Sequence, residues 1–460
     1  MVSGGTFNAG VEKIRPGIYT NFKAAAAERT KAGERGTVAL PLAASWGAAK
    51  EFVEINKEED VEKKLGLSLA HQSFLLLRET LKLAKTVLVY RLNDGIKATA
   101  TLATDVVVTA KYGGIVGNSI TIKVDENVVD SSKKDVTTYL NEVAVDKQVV
   151  GTASELIDSN YVSFKTTSTS ELQQSSGTTL VGGTDQPVTN LDYTQFLVSA
   201  EGEYFDTIAF PVSSSDVALK TSFVSFVKRM RDEQGVKIKG VVANMPADYE
   251  GIINVRNGVT LRDGTILEPH QVVAWVAGAD ASASMLKSNT FVKYDGAIDA
   301  TPRLANDEAE EALQNGEFVL TFDARDKAVY VEQDLNSLTT FSKEKSSKFR
   351  KNKISRILDG INNDTRRNIL DAIKERKDAN TDIPADENGV QFILSMQTAY
   401  LNELQDSGAI TNFDSTADIT VSLNNNVDGF IVNQSIEPVD SGEKFYFTTE
   451  VKLEHHHHHH

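Results

Sequence analysis

The spacing of apolar positions changes several times along the chain, and each change marks a region. From Met1 to about Phe22 no helical period is present; Ile14, Ile18, Tyr19 and Phe22 lie among small and polar residues around Arg15-Pro16-Gly17. This predicts an extended arm. Stretched at roughly 3.3 Å per residue, some 20 residues reach ~65 Å, comparable with the ~50–60 Å diameter of a compact body of this size. Such an arm packs on its own C-terminal region or on a neighbouring molecule. From Val38 to Asn93 the pattern is α/β: Asn56 is a candidate N-cap with Glu59 three residues on, Phe74 to Lys85 is helical, and Thr86-Val87-Leu88-Val89-Tyr90 reads as a buried strand.

Between about Lys97 and Gly183 the period shortens to two, as in Ile120 to Val124 and Val136 to Leu140, with Gly113-Gly114, Gly117 and Gly182-Gly183 as punctuation. An inserted all-β domain follows from this. Strands then alternate with helices again: a helix from about Asp192, a strand from Phe205 to Val212, a helix from Asp216 to Glu233, strands Ile238 to Ala243 and Gly251 to Val255, and a helix near Pro269. A hairpin is expected from Phe318 to Phe322 and Ala328 to Glu332. The last region opens with a long helix bearing Ile354, Ile357, Leu358, Ile361, Ile369 and Ile373 on one face, then a helix from Val390 to Leu404. It closes in strands at Asp418 to Leu423, Phe430 to Pro438 and Lys444 to Val451. A chain ending on an alternating strand either pairs it internally or leaves an edge for another molecule.

Composition removes most chemistry. The 460 residues contain no cysteine, and of eight histidines all but His71 and His270 fall in the terminal run that, with Leu453-Glu454, reads as a purification tag. Thiolate nucleophiles, cysteine-based metal sites and disulfides are therefore excluded. The start of the chain has neither a basic nor an apolar leader segment, and no apolar run approaches the ~20 residues of a membrane span. No membrane partner is expected, and assembly in a cytoplasm is. A net charge of −16, from 48 basic and 64 acidic residues, disfavours nucleic acid as a partner. Lys111 to Gly117 is glycine-rich but lacks a following Gly-Lys-Ser/Thr, so a turn is expected there and not a phosphate cradle. No cofactor or metal site is expected; carboxylate pairs such as Asp295/Asp299 and Asp323/Asp326 arise by chance among so many acids. One cluster stands against the acidic background: Lys343, Lys345, Lys348, Arg350, Lys351, Lys353 and Arg356, either a solvated face or a docking face for an acidic partner.

The segments Arg15-Pro16-Gly17-Ile18-Tyr19-Thr20-Asn21-Phe22, Gly182-Gly183-Thr184-Asp185, Glu250-Gly251-Ile252-Ile253-Asn254, Ala274-Trp275-Val276-Ala277-Gly278-Ala279, Tyr294-Asp295-Gly296-Ala297, Val331-Glu332-Gln333-Asp334-Leu335-Asn336 and Ile436-Glu437-Pro438-Val439-Asp440-Ser441 together resemble contractile phage tail sheath proteins of Gram-positive prophages and phage-like bacteriocins. The resemblance implies a non-enzymatic virion tail subunit, assembled in the bacterial cytoplasm, that polymerises helically around an inner tail tube and contracts to drive it through a cell envelope. It also implies that subunits exchange terminal strands with their neighbours, and that baseplate and tail terminator proteins are further partners. The inter-subunit arm residues are then Ile14, Ile18, Tyr19, Phe22, Phe445, Phe447 and Val451, with joints near Lys23 to Ala27 and Asp440 to Glu443. The C-terminal region resembles the tube-facing domain, which makes the basic cluster a candidate tube contact.

The expected fold is α+β and multidomain: an arm at 1–23, a central α/β domain at 24–96 and 184–342, an inserted β-rich domain at 97–183, a C-terminal α+β domain at 343–440 completed by extended terminal arms, a C-terminal strand at 441–452, and the tag at 453–460. The alternative from composition alone is an α/β enzyme with a β insertion and a pocket around His270. A secreted surface-layer protein is the other competitor, but a secretion signal is missing.

Overall fold

The computed structural model describes residues 4–7, 12–19, 35–103, 105–167, 169–213 and 215–453. A seven-stranded sheet organises the body, in the order Glu317–Phe318, Ile252–Val255, Lys239–Ala243, Thr207–Ala209, Thr37–Leu42, Thr86–Arg91, Phe52–Ile55. Neighbours are parallel except the last pair. Parallel strands read as continuous apolar runs because both of their faces are covered. Along Thr37–Leu42, Val38, Leu40 and Leu42 enter one core and Ala39 the other. The helix Pro269–Ser282 lies on the first face, buried from Val272 to Ala281. The helices Asn190–Ala200 and Val217–Lys228 cover the second, where Phe210 and Phe223 stack at 4.5 Å.

Local departures from the expected elements have local causes. The first helix, Glu58–Leu65, starts after Lys57 and not at Asn56, because the capping carboxylate comes from within its own first turn. Asp60 accepts the backbone N–H groups of Asn56 at 2.9 Å and Lys57 at 3.2 Å. The apolar run after His71 becomes a 3₁₀ turn, Gln72–Phe74, and a short helix, Leu75–Leu81. The expected hairpin is real but shorter, Leu320–Asp323 against Ala328–Val331, because Glu317–Phe318 joins the large sheet instead. Lys444 to Val451 forms no strand at all.

The inserted region is a β-sandwich. One sheet holds Ser175–Thr179, Ile120–Glu126, Lys134–Leu140 and Val143–Val150; the other holds Val162–Lys165, Val106–Ala110 and Thr99–Leu102. They enclose their own core of Val108, Ile120, Ile122, Val124, Val136 and Leu180. The sandwich joins the body through a narrow neck, where Gly95–Ile96 pairs antiparallel with Thr184–Asp185. Trp46, from the body, plugs the sandwich base edge-on to Tyr112 at 5.1 Å. The glycine-rich stretch serves this neck: a Cβ on Gly113 would sit 2.0 Å from the carbonyl oxygen of Gly95. Buried Arg91 ties the same place together, donating to the carbonyls of Ala44, Gly47 and Gly113 at 2.8–3.1 Å.

The C-terminal region packs two helices, Asn352–Asp378 and Glu387–Asp406, under the hairpin Ile419–Leu423/Phe430–Gln434. Their shared core includes Ile357, Ile361, Leu401, Leu404 and Ile419, together with Met285 from the central body. Gly360 makes that approach possible, since a Cβ there would lie 1.6 Å from the Met285 sulfur. Gly113→Ala is expected to destabilise the protein by at least about 1–3 kcal/mol, the usual cost of overpacking. A thermal melt of the variant against wild type checks this.

Candidate assembly interface

Where the long helix meets the sheet, ionisable side chains are buried together. Arg356 Nη2 lies 2.9 Å from Asp280 and 3.5 Å from Asp334, with these side chains 1–2 % exposed. Its Nη1 donates to the Lys287 carbonyl at 3.0 Å. Asp280 also accepts from the Thr207 hydroxyl at 2.7 Å, and Asp334 from the Asn352 amide at 2.8 Å and the Asn289 N–H at 2.9 Å. Arg231 grips Asp359 with two nitrogens, each at 2.9 Å, and the Ile238 carbonyl at 2.7 Å. Lys239 donates to Asn352 at 2.7 Å and Ser355 at 2.5 Å. Arg356, with Lys239 and Arg35, holds Asp280 down to about 2 against a burial effect that acts the other way. Burial pulls Lys239 down to about 8, resisted by Asp280 and Asp359.

This arrangement redefines the basic cluster. Arg356 and Lys353 are buried, and Arg350, half-buried, donates to the Leu313 carbonyl at 2.5 Å. Lys345 pairs with Glu250 at 2.5 Å, and Lys351 with Asp440 at 2.5 Å and Glu443 at 3.6 Å. Only Lys343 and Lys348 of the seven are classed as exposed. A uniform basic face is therefore not formed. Lys345, Lys351 and Arg356 meet carboxylates of other elements, while Arg350 and Lys353 meet a carbonyl and a hydroxyl, all partners far away in sequence.

Described residues near each end of the chain touch the central body and the C-terminal region. Gly4 and Gly5 are buried, and Thr6 N–H donates to the Asp232 carbonyl at 3.2 Å. Asn424, in the hairpin turn, donates to Glu12 at 3.2 Å. Ile14 is 99 % exposed, while Ile18 and Tyr19 are partly covered, with the Tyr19 hydroxyl on the Arg15 carbonyl at 2.7 Å. Phe22 and the joint expected at Lys23 to Ala27 lie outside the described residues. At the other end Phe445, Tyr446, Phe447 and Val451 are 68–88 % exposed. The joint expected at Asp440 to Glu443 is instead held: Glu443 accepts from the Thr290 hydroxyl at 3.0 Å and the Gln333 amide at 2.8 Å, and Lys353 donates to Ser441 at 2.9 Å. Sequence reading missed this clamp because Thr290 and Gln333 are more than a hundred residues from Glu443 and nothing in their spacing pairs them with it.

The hairpin lies beside the N-terminal arm through the contact of Asn424 with Glu12. It is two-stranded among the described residues, with Ile419, Val421, Leu423, Phe430, Val432 and Gln434 more covered than the residues alternating with them. A lone hairpin has two open edges and is marginal by itself. His270 Nδ1 has Glu268 at 3.4 Å, burial lowers the imidazole pKa, and a cleft of about 210 Å3 opens elsewhere, between Ile354, Thr411 and Pro438. His71 caps the short 3₁₀ turn through the Ser73 N–H at 3.2 Å. Among the described residues no cluster of three acidic or histidine ligands could hold a metal, and no helix is long and apolar enough to cross a membrane.

Four family models tile the chain: the tail sheath protein Gp18 domain III N-terminal region at residues 35–92, the phage tail sheath β-sandwich domain at 93–185, the phage tail sheath central domain at 186–337 and the phage tail sheath C-terminal domain at 344–452. The chain belongs to the phage tail sheath family and is a structural subunit of a contractile tail sheath, a component of a virion tail. It is 52 % identical to the phage-like element PBSX protein XkdK of Bacillus subtilis, over 98 % of this chain and 100 % of that one. The crystal structure of a sheath tail protein from Desulfitobacterium hafniense is 42 % identical, with a TM-score of 0.77 over 95 % of this chain and 100 % of that one. The contracted helical sheath of the anti-feeding prophage shares the fold at 11 % identity, with a TM-score of 0.56 over 96 % and 99 % of the two chains.

The buried ion network sets a pH expectation. Asp280, held at about 2 against an ordinary 3.8, contributes stability fully present above about pH 4 and lost as pH falls through 2, roughly 2.5 kcal/mol in all. Arg356→Met strands two buried carboxylates and is expected to cost about 3–5 kcal/mol. It also releases Asp280 to protonate at higher pH. Acid titration of both proteins by circular dichroism should show the midpoint of the variant moved upward.

Proposed function

We infer that the subunits are joined by strand addition: the arm at residues 1–23 and the segment after Glu443 pair with the open edges of the hairpin Ile419–Leu423/Phe430–Gln434 on neighbouring copies. The observation that carries this reading is the coexistence, in one chain, of an open-edged hairpin and a terminal segment whose Phe445, Phe447 and Val451 are exposed on alternating positions. Burying these three side chains returns about 5–9 kcal/mol. Ordering the backbone that carries them costs on the order of 10 kcal/mol. Main-chain hydrogen bonds of about 1 kcal/mol each then decide the sign, which suits a strand more than a loose hydrophobic contact.

In this reading the lattice surrounds an inner tail tube, ends at baseplate and terminator proteins, is assembled in the bacterial cytoplasm, and works by rearranging contacts and not by catalysis. Arms that keep their ladders while bodies repack would hold the lattice together during contraction. Within the basic stretch the tube contact narrows to Lys343 and Lys348, the two residues that are exposed.

Removing residues 1–22, or separately 444–452, is expected to leave the thermal melt of the body close to wild type while abolishing tubular polymers in negative stain; normal tubes from either truncation would contradict strand exchange. Reversing Lys343 and Lys348 to Glu should reduce sheath coverage of purified inner tubes at low salt. Salt should mask that difference, since the Debye length shrinks to about 3 Å at 1 M. Equal coverage at low salt would remove these residues from the contact.

A further inference from the structure

The structure places an unexpected set of contacts at the root of the C-terminal segment. Glu443 lies two residues before the exposed aromatic run that starts at Phe445, yet its side chain is only 9 % exposed. Its carboxylate takes the Thr290 hydroxyl and the Gln333 amide, both from the central body, and faces Lys351 at 3.6 Å. Asp440 takes Lys351 at 2.5 Å, and Ser441 takes Lys353 at 2.9 Å, both cations belonging to the start of the long helix. Three polar residues of one four-residue segment, Asp440, Ser441 and Glu443, are thus held by two different parts of the body. From Lys444 to Leu453 every residue is exposed.

We propose that Lys351, Lys353, Thr290 and Gln333 form a clamp that fixes where and in which direction the C-terminal arm leaves the body, so that the arm is aimed at its neighbour before it binds. The proposal rests on the strand-exchange reading and adds its control point. Holding a segment in its bound direction lowers the ordering cost of association, which governs affinity when the contact area is small. The hinge is therefore at Lys444, beyond the clamp. Because the clamp joins the sheet body to the helix that carries the buried ion network, any shift between those two parts changes the arm's direction. The charged part of the clamp is a quarter to two-fifths exposed at Lys351 and Asp440, which makes it salt-sensitive.

The absence of cysteine allows a direct test, with a spin label on Lys444→Cys in the full chain. The label is expected to be restricted in otherwise wild-type protein at low salt, and mobile in 1 M salt or with Glu443→Ala added. With Lys351→Ala added, the remaining mobility should no longer respond to salt. Without any label, Glu443→Ala should lower polymer yield roughly tenfold, the scale of losing charge-assisted hydrogen bonds, with an unchanged melt. Equal label mobility in all proteins, or wild-type polymer yield from Glu443→Ala while the 444–452 truncation yields none, would overturn the clamp. Normal polymers from that truncation would instead overturn strand exchange, leaving the label spectra to decide the clamp itself.

Discussion

Arg231, Lys239 and Arg356 meet Asp280, Asp334 and Asp359 out of contact with water at the joint between the sheet and the long helix, and the rest of the molecule is arranged around that meeting. Buried charge is costly unless each group finds its partners, so the set tolerates one relative placement of the two parts. Hydrophobic contacts such as Met285 against Gly360 supply attraction without that selectivity. The result is one body formed from two regions of sequence, on which both chain ends are positioned.

The β-sandwich is built on the opposite principle. It has a separate core and reaches the body through a two-residue strand pair, glycines and Arg91. Its attachment depends on close backbone approach, and little of the body's ion network concerns it. The subunit thus combines a rigidly joined body, a narrowly tethered β-sandwich, a two-stranded hairpin with open edges and an exposed C-terminal segment.

Periodicity made the α/β body and the inserted β domain legible, because runs such as Thr86 to Tyr90 and Ile120 to Val124 declare burial on two faces or on one. The helix Pro269–Ser282 was legible from its proline start. What stayed hidden depended on partners distant in sequence. The cluster from Lys343 to Arg356 looks like a surface patch until Asp280, Asp334, Glu250 and Asp440 are brought beside it. Asp440 to Glu443 looks like a joint until Thr290 and Gln333 arrive. The terminal segment has the alternation of a strand, yet a strand needs a ladder, and within one chain Lys444 to Val451 has none.

The central claim, that copies are joined through the hairpin, is tested most directly by an electron cryomicroscopy map of the assembled polymer at a resolution that traces strands. The account predicts chain from neighbouring subunits hydrogen-bonded along the outer edges of Ile419–Leu423 and Phe430–Gln434, with Phe445 and Phe447 buried against the acceptor. A polymer in which both edges face solvent and each C-terminal segment lies on its own body would contradict it.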